Sequence, residues 1–314
     1  MAAADTFEAV AREWYARHSQ HWVASHASKV LRRLERDVFP WIGGKPIAMV
    51  TAPDVLAVCR RVEGRGAVET AHRVHQYCGQ VLRYAVAGGR ASQGDVTRDL
   101  RGALTPWKSG HFASITEPDA VGELLRAIHG FTGTFPVACA LKLAPLVFVR
   151  PGELRHVEWA EFDLDVAEWS IPAEKMKMRV THLVPLSSQA VAILRDLLPL
   201  TGASRYVFPG ARDRKKPLSD MALNAAFKRL GYDGQTFTAH GFRAMARTIL
   251  DERLGFRPDI IEHQLAHAVK DANGRAYNRT SFLPERRKMM QQWADYLDSL
   301  REATGKIVAF KRKA

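Results

Sequence analysis

The sequence predicts a mainly α, α+β chain of two domains, the first wholly helical and the second mostly helical around a small antiparallel sheet. Three observations carry that expectation. Apolar residues recur at helical spacing through most of the chain, strand-like alternation is confined to residues 159–186, and an aperiodic segment at 91–115 separates two periodic blocks.

Residues 6–18 place Phe7, Val10, Ala11, Trp14 and Tyr15 at helical spacing, and 24–39 repeat the pattern with Ala24, Val30, Leu31, Leu34 and Val38. Pro53 and Asp54 open a short helix. A longer one over 69–86 carries Val74, Tyr77, Cys78, Val81, Leu82 and Ala85, and Gly88 and Gly89 stop it. These elements define a domain over 5–107, in which the stretch from about 91 reads as a linker or an arm laid across the surface. The second domain, 115–303, opens with Thr116 as a helix cap, Pro118 and Asp119 in the first turn, and Val121, Leu124, Leu125 and Ile128 facing inward. FDLDVAEWSI and KMKMRVTHLVPL then read as two or three short strands. Helices follow at 188–198, at 220–230 between Ser219 as cap and Gly231 as terminator, and at 239–252, 259–266 and 284–300. A basic tail, 304–314, holds Lys311, Arg312 and Lys313.

The bulk chemistry narrows the function. Lys and Arg number 46 against 33 Asp and Glu, a net charge of +13, so an extended anionic partner is expected, nucleic acid first and an acidic membrane surface second. Cys59, Cys78 and Cys139 lie far apart in apolar stretches, which predicts buried, reduced thiols and neither a disulfide framework nor a zinc site. No basic and apolar leader follows Met1, and no run of about 18 apolar residues occurs, so a cytoplasmic protein without membrane association is expected.

Six residues could carry chemistry. His240 and Arg243 lie three apart in TAHGFRAMA, after Thr238 as expected helix cap, so both reach one face of the first helical turns. A histidine donor and an arginine fork there would hold a phosphate. Alone, the pair is more simply a surface arginine beside a histidine that caps or packs. Arg150 in VFVRPGELRHVEW stands where an apolar run turns into a helix start, with Glu153 one turn on to orient it. Lys177, in a basic hairpin, could enter a minor groove or protonate a leaving oxygen, and equally could line a solvated strand face. His267 ends EHQLAH, and Tyr277 follows in GRAYNRTSF. A tyrosine hydroxyl, with a pKa near 10, attacks poorly unless cations surround the phosphate and a base takes its proton. Together the set suits phosphoryl transfer: Arg150 and Arg243 meet charge on the non-bridging oxygens, Lys177 protonates the leaving 5′ oxygen, and His240 and His267 donate hydrogen bonds or move the tyrosine proton. No paired carboxylates of a two-metal nuclease and no P-loop are present, so no metal or other cofactor is expected.

At these residues the chain resembles the tyrosine recombinases, most closely the phage and genomic-island integrases similar to that of satellite phage P4. The motifs occur in order: RPGEL with Arg150, MKMR through HLVPLS with Lys177, HGFR with His240 and Arg243, LAH with His267, and AYNR with Tyr277, before a closing helix ERRKMMQQWADYLD. The resemblance implies that Tyr277 attacks the scissile phosphate, forming a 3′-phosphotyrosyl bond, and that a 5′ hydroxyl of a second duplex reverses the attack without ATP. It assigns Lys177, rather than Lys175, as general acid by its distance from Pro185. It further implies a core-binding first domain, a clamp around duplex attachment (core) sites, and a homotetramer on paired sites passing through a Holliday junction, monomeric without DNA. DNA-bending or excision factors would assist. The outcome would be integration or excision of a prophage or other mobile element. Phe148 and Val149 replace a common Thr-Gly, a change expected to affect packing more than chemistry. Integrases of this kind usually carry a further N-terminal arm-binding domain, which this chain is expected to lack.

Rival functions remain at this point. A remnant that binds DNA without cutting it explains the charge but not the ordered Arg, Lys, His, Arg, His, Tyr set. A nicking or topoisomerase-like enzyme shares the tyrosine chemistry without strand exchange, and a purely structural helical protein leaves +13 unexplained.

Overall fold

The computed structural model describes residues 5–92, 94–107, 110, 112–267 and 282–303. The chain divides into two compact units, Met1–Gly110 and His111–Ala314.

The first unit is helical. Helix α1 (Phe7–Ser19) starts where the Thr6 hydroxyl accepts the Ala9 N–H, and α2 (Ala24–Arg33) runs on into a π-helical stretch, Leu34–Gly43. The expected helix over 24–39 thus loosens midway, in a stretch containing Pro40, which has no backbone N–H to give. Helix α3 (Ala52–Glu63) opens on a capping box between Thr51 and Asp54, and α4 (Val68–Ala87) ends at Gly88. Phe7, Val10, Trp14, Val30, Leu34, Val55, Val58, Val74 and Leu82 fill the core between these helices. The segment from 91 behaves as an arm and not as a free linker: Ala91, Leu100 and Leu104 are buried in the same core.

A buried carboxylate braces this unit. Asp37, in the π-helical stretch, accepts two hydrogen bonds from Arg36, at 2.9 and 2.8 Å, and one from Arg65 at 2.7 Å. Burial alone would raise its pKa, yet the two guanidinium groups outweigh burial and hold it below the ordinary value.

In the second unit, α5 (Pro118–His129) is followed by α6 (Phe135–Val147) and the short α7 (Pro151–Arg155). Strands β1 (Phe162–Asp163), β2 (Glu168–Ile171) and β3 (His182–Pro185) form an antiparallel sheet in the order β1-β2-β3, with Trp169 opposite Phe162 and Val184. Among the described residues five helices follow: α8 (Ser188–Thr201), α9 (Ala222–Arg229), α10 (Gly241–Glu252), α11 (Pro258–Gln264) and α12 (Leu283–Glu302). The apolar stripe of α12, Met289, Met290, Trp293, Tyr296 and Leu297, is core packing. Trp293 also donates to the Pro145 carbonyl at 2.8 Å, tying α12 to the end of α6.

Several expected boundaries move. The caps are Glu117, Met221 and His240, none with a side-chain cap bond, in place of Thr116, Ser219 and Thr238. The hairpin over 175–185 is strand only from His182, and Lys177 lies on the exposed connection before it, where Arg179 takes a left-handed φ of 53°. All three cysteines are free and buried, and burial pushes Cys59 up to about 12 and Cys139 to about 11. Among the described residues no helix is long and apolar enough to cross a membrane. The basic tail, 304–314, lies outside the described residues.

Because the folded pKa of Asp37 is depressed, its contribution is complete above the ordinary aspartate pKa and is lost as pH falls through the folded value. Asp37→Asn should therefore lower stability by about 1–2 kcal/mol at neutral pH, the arginines being half exposed. Urea titrations from pH 7 to pH 3 should show that deficit shrinking as the wild type loses the same charge.

Candidate active site

The site is built where the end of α6, the start of α10 and the end of α11 meet. Phe148 ends α6 in the left-handed conformation, φ 35° and ψ 35°, and so turns its carbonyl toward α10. Two residues on, Arg150 is the N-cap of α7. The Glu153 carboxylate grips it twice, accepting from the Arg150 backbone N–H at 2.8 Å and from Nη1 at 2.8 Å. Glu153 is buried, so the guanidinium is held at a fixed place.

Arg243 sits three residues into α10, behind His240. Its guanidinium is buried and donates from Nη1 to the Phe148 carbonyl at 3.2 Å and from Nη2 to the Leu265 carbonyl at 2.7 Å. Nη2 also lies 2.9 Å from Nε2 of His267. Burial, and then the like charge of Arg150, pull the Arg243 pKa down to about 10. Among the described residues its hydrogen-bond partners are two backbone carbonyls and an imidazole, with no carboxylate, an arrangement that could accept an anion.

The end of α11 supplies the other wall. After Leu265 the chain reverses through Ala266 at φ 51°, with Ala266 N–H donating to His263 O at 3.1 Å and His267 N–H to Glu262 O at 3.0 Å. That is the Schellman pattern, with alanine where glycine is usual. It turns the Leu265 carbonyl to Arg243 and sets the Ala266 carbonyl 3.5 Å from Arg150 Nη2. The same turn folds His267 back, and its Nδ1 lies 2.5 Å from the Glu262 carboxylate.

His240 is half buried, its ring 4.3 Å from that of Phe112. Burial first, then the charges of Arg243 and Arg150, lower its pKa, keeping it neutral near pH 7 and able to donate one hydrogen bond. The glycine of HGFR has a steric reason: a Cβ on Gly241 would stand 2.4 Å from the Ala113 carbonyl, and Ser114 donates to the Gly241 carbonyl at 2.8 Å.

Four of the six residues singled out in the sequence therefore converge: Arg150, His240, Arg243 and His267. Lys177 is not in this cluster; it is exposed and makes no hydrogen bond or ion pair among the described residues. Its rival, Lys175, is occupied, bonded to the His156 carbonyl at 2.9 Å, to Glu158 at 2.6 Å and to Glu161. Tyr277 lies outside the described residues. Among the described residues no three His, Cys, Asp or Glu side chains cluster as metal ligands. The sequence pattern points to no role for Glu262, nor for Phe148 beyond packing, although Glu262 meets His267 and the Phe148 carbonyl holds Arg243.

Residues 7–103 match the phage integrase central domain and residues 115–283 the phage integrase family. The integrase of Enterobacteria phage P4 is 38% identical over 311 residues, covering 95% of this chain and 70% of that protein. The chain belongs to the phage integrase family. It is accordingly a tyrosine recombinase, an enzyme of site-specific DNA integration and recombination. The integrase of Shigella phage Sf6 is 35% identical over 295 residues, 94% of this chain and 76% of that protein. In fold, this phage integrase is similar to lambda integrase solved as a tetramer bound to a Holliday junction, with a TM-score of 0.66 at 14% identity, covering 88% of this chain and 81% of that one.

The left-handed turn at Ala266 gives the integrase a local stability signature. Ala266→Gly should raise stability by about 0.5–1 kcal/mol by relieving positive φ, whereas Ala266→Val should lower it by about 1–2 kcal/mol. Equal thermal midpoints for the three proteins would contradict this account of the turn.

Proposed function

We propose that this integrase cuts and rejoins duplex attachment (core) sites with Tyr277 as nucleophile, in the cytoplasm, to integrate or excise a mobile element. The observation that carries the reading is the Arg150, His240, Arg243, His267 cluster, in which the buried Arg243 is held by two backbone carbonyls and an imidazole and, among the described residues, has no carboxylate hydrogen-bond partner.

In the cutting step the Tyr277 oxygen bonds to phosphorus and the bond from phosphorus to the 5′ oxygen breaks. The tyrosine proton passes to His240, His267 or solvent, and Lys177 supplies a proton to the departing 5′ oxygen. Arg150 and Arg243 meet the charge that grows on the non-bridging oxygens, from positions fixed before DNA arrives. Joining reverses these movements with a 5′ hydroxyl of the second duplex. The bond energy stays in the phosphotyrosyl link, so no ATP is consumed and no cofactor is assigned.

The first unit is assigned core-site binding, since it matches the phage integrase central domain. A charge of +13 suits backbone contact along a duplex. Exchange between two duplexes calls for a homotetramer on paired sites, the assembly in which lambda integrase was solved on a Holliday junction, and the free chain is assigned as a monomer. A binding-only remnant would have no use for the preformed cationic cluster.

The test is a denaturing gel for protein-linked DNA, on duplexes nicked a few bases from the cut site so that a short fragment leaves and cleavage cannot reverse. Wild type should yield an adduct and Tyr277→Phe none, with duplex affinity nearly unchanged. An adduct of undiminished yield in Tyr277→Phe would sink the assignment. Lys177→Ala should slow cleavage by about 100-fold or more while binding holds. Lys175→Ala should instead lower the thermal midpoint, because it removes the ion pair of the buried Glu161 side chain and one of the two that hold Glu158.

A further inference from the structure

We propose that Glu262 is a positioning residue of this integrase, fixing the His267 imidazole in one tautomer and one orientation against Arg243. The inference rests on the assignment of His267 to the phosphate site made above.

The geometry of the ring fixes its tautomer. Nε2 of His267 faces Arg243 Nη2 at 2.9 Å, and a guanidinium has no lone pair to offer, so Nε2 is the acceptor. The proton then sits on Nδ1, 2.5 Å from Glu262 Oε2. Without the carboxylate, Arg243 alone would bias the ring toward an Nε2 acceptor, and a ring that turned away as the other tautomer would forfeit no second bond. Glu262 removes that choice, in the way a carboxylate behind a histidine orients the ring elsewhere.

Glu262 is itself held in place. Arg247 donates to it from Nε at 2.6 Å and, from Nη1, to Asp251 at 2.7 Å, one turn on along α10. Burial would raise the Glu262 pKa, but the hydrogen bonds from His267 and Arg247 outweigh it, so the group is a carboxylate at neutral pH. The backbone repeats the link, since the Glu262 carbonyl accepts the His267 N–H at 3.0 Å. One residue thus fixes both the chain and the ring of His267, and α10 supplies the brace from four residues beyond Arg243.

A purely structural part for Glu262, joining α11 to α10 through Arg247, is the reading to exclude. Three measurements on the full chain do so. In long-range 1H–15N correlation spectra of the free protein, His267 should carry its proton on Nδ1, and Glu262→Ala should move population to the Nε2–H form. On the nicked duplex at saturating concentration, Glu262→Ala should cut more slowly by roughly 10- to 100-fold, with the DNA dissociation constant within about 2-fold of wild type. Glu262→Gln, which keeps an oxygen acceptor, should recover part of that loss, and it carries the same test should the alanine variant not fold.

In a His267→Ala background, Glu262→Ala should add less than about 2-fold. An unchanged His267 tautomer, or a full loss repeated in the His267→Ala background, would overturn the proposal and leave Glu262 a structural ion pair. Absence of any adduct from the wild type would instead remove the proposed cutting reaction, while the tautomer measurement, which needs no DNA, would still decide the part played by Glu262.

Discussion

A buried guanidinium that, among the described residues, has no hydrogen-bonded carboxylate is the constraint on which this catalytic unit depends. Taking the Arg243 charge out of water costs several kcal/mol, and the groups around it repay only part of that. Its neighbours are two backbone carbonyls and an imidazole nitrogen, and the nearby Arg150 adds repulsion. Both carbonyls stand at helix ends that reverse through residues rarely found with positive φ, Phe148 itself and Ala266 just after Leu265. Each such residue costs about 1–2 kcal/mol. The fold therefore concentrates backbone strain and a buried positive charge at one place.

Such an arrangement needs support from behind, and it has two supports. Trp293 of α12 packs edge-on against Phe148, ring centres 6.1 Å apart, and donates to Pro145 three residues earlier, so α12 fixes the end of α6. Gln264, immediately before Leu265, is buried and used twice. Its side-chain oxygen accepts from Arg286 at 2.8 and 2.7 Å, and its backbone carbonyl lies 3.0 Å from His182 Nε2. Burial drives the His182 pKa down to about 3, so this histidine is a neutral donor from β3 and adds no charge beside the arginines. The sheet and the last helix, remote from the chemistry in sequence, thus hold the two carbonyls that hold Arg243.

How much of this was legible beforehand follows from the kind of signal each part leaves. Helices announce themselves by apolar spacing, so α1, α4, α5 and α12 were expected within a residue or two, and the Arg150 and Glu153 pair was readable because both lie in one turn. Caps were misplaced because Thr116, Ser219 and Thr238 are good capping residues that the chain does not use: the actual caps, Glu117, Met221 and His240, make no side-chain cap bond. The positions of Phe148 and Ala266 were invisible, since positive φ in a residue other than glycine is imposed by tertiary contacts. Glu262 was hidden for the same reason. Its relation to His267 depends on a left-handed turn between them, without which a separation of five residues on a helix would point the two apart.

The two lysines of the β2–β3 connection show what a fold can decide that a motif cannot. By sequence they are near equivalents, two residues apart in a basic run. By structure they are opposites: Lys175 is drawn in by Glu158 and Glu161 and anchors the connection to the segment after α7, while Lys177 stays exposed. A lysine already bonded to two carboxylates is a poor proton donor to a leaving oxygen, because to reach it the lysine must give up both ion pairs. An exposed lysine just beyond that anchor keeps its reach and its freedom to move. The anchoring of one lysine thus limits how far the other can stray, and it leaves Lys177 the more mobile of the two, in contrast to Arg150, Arg243 and His267, which are held by their neighbours.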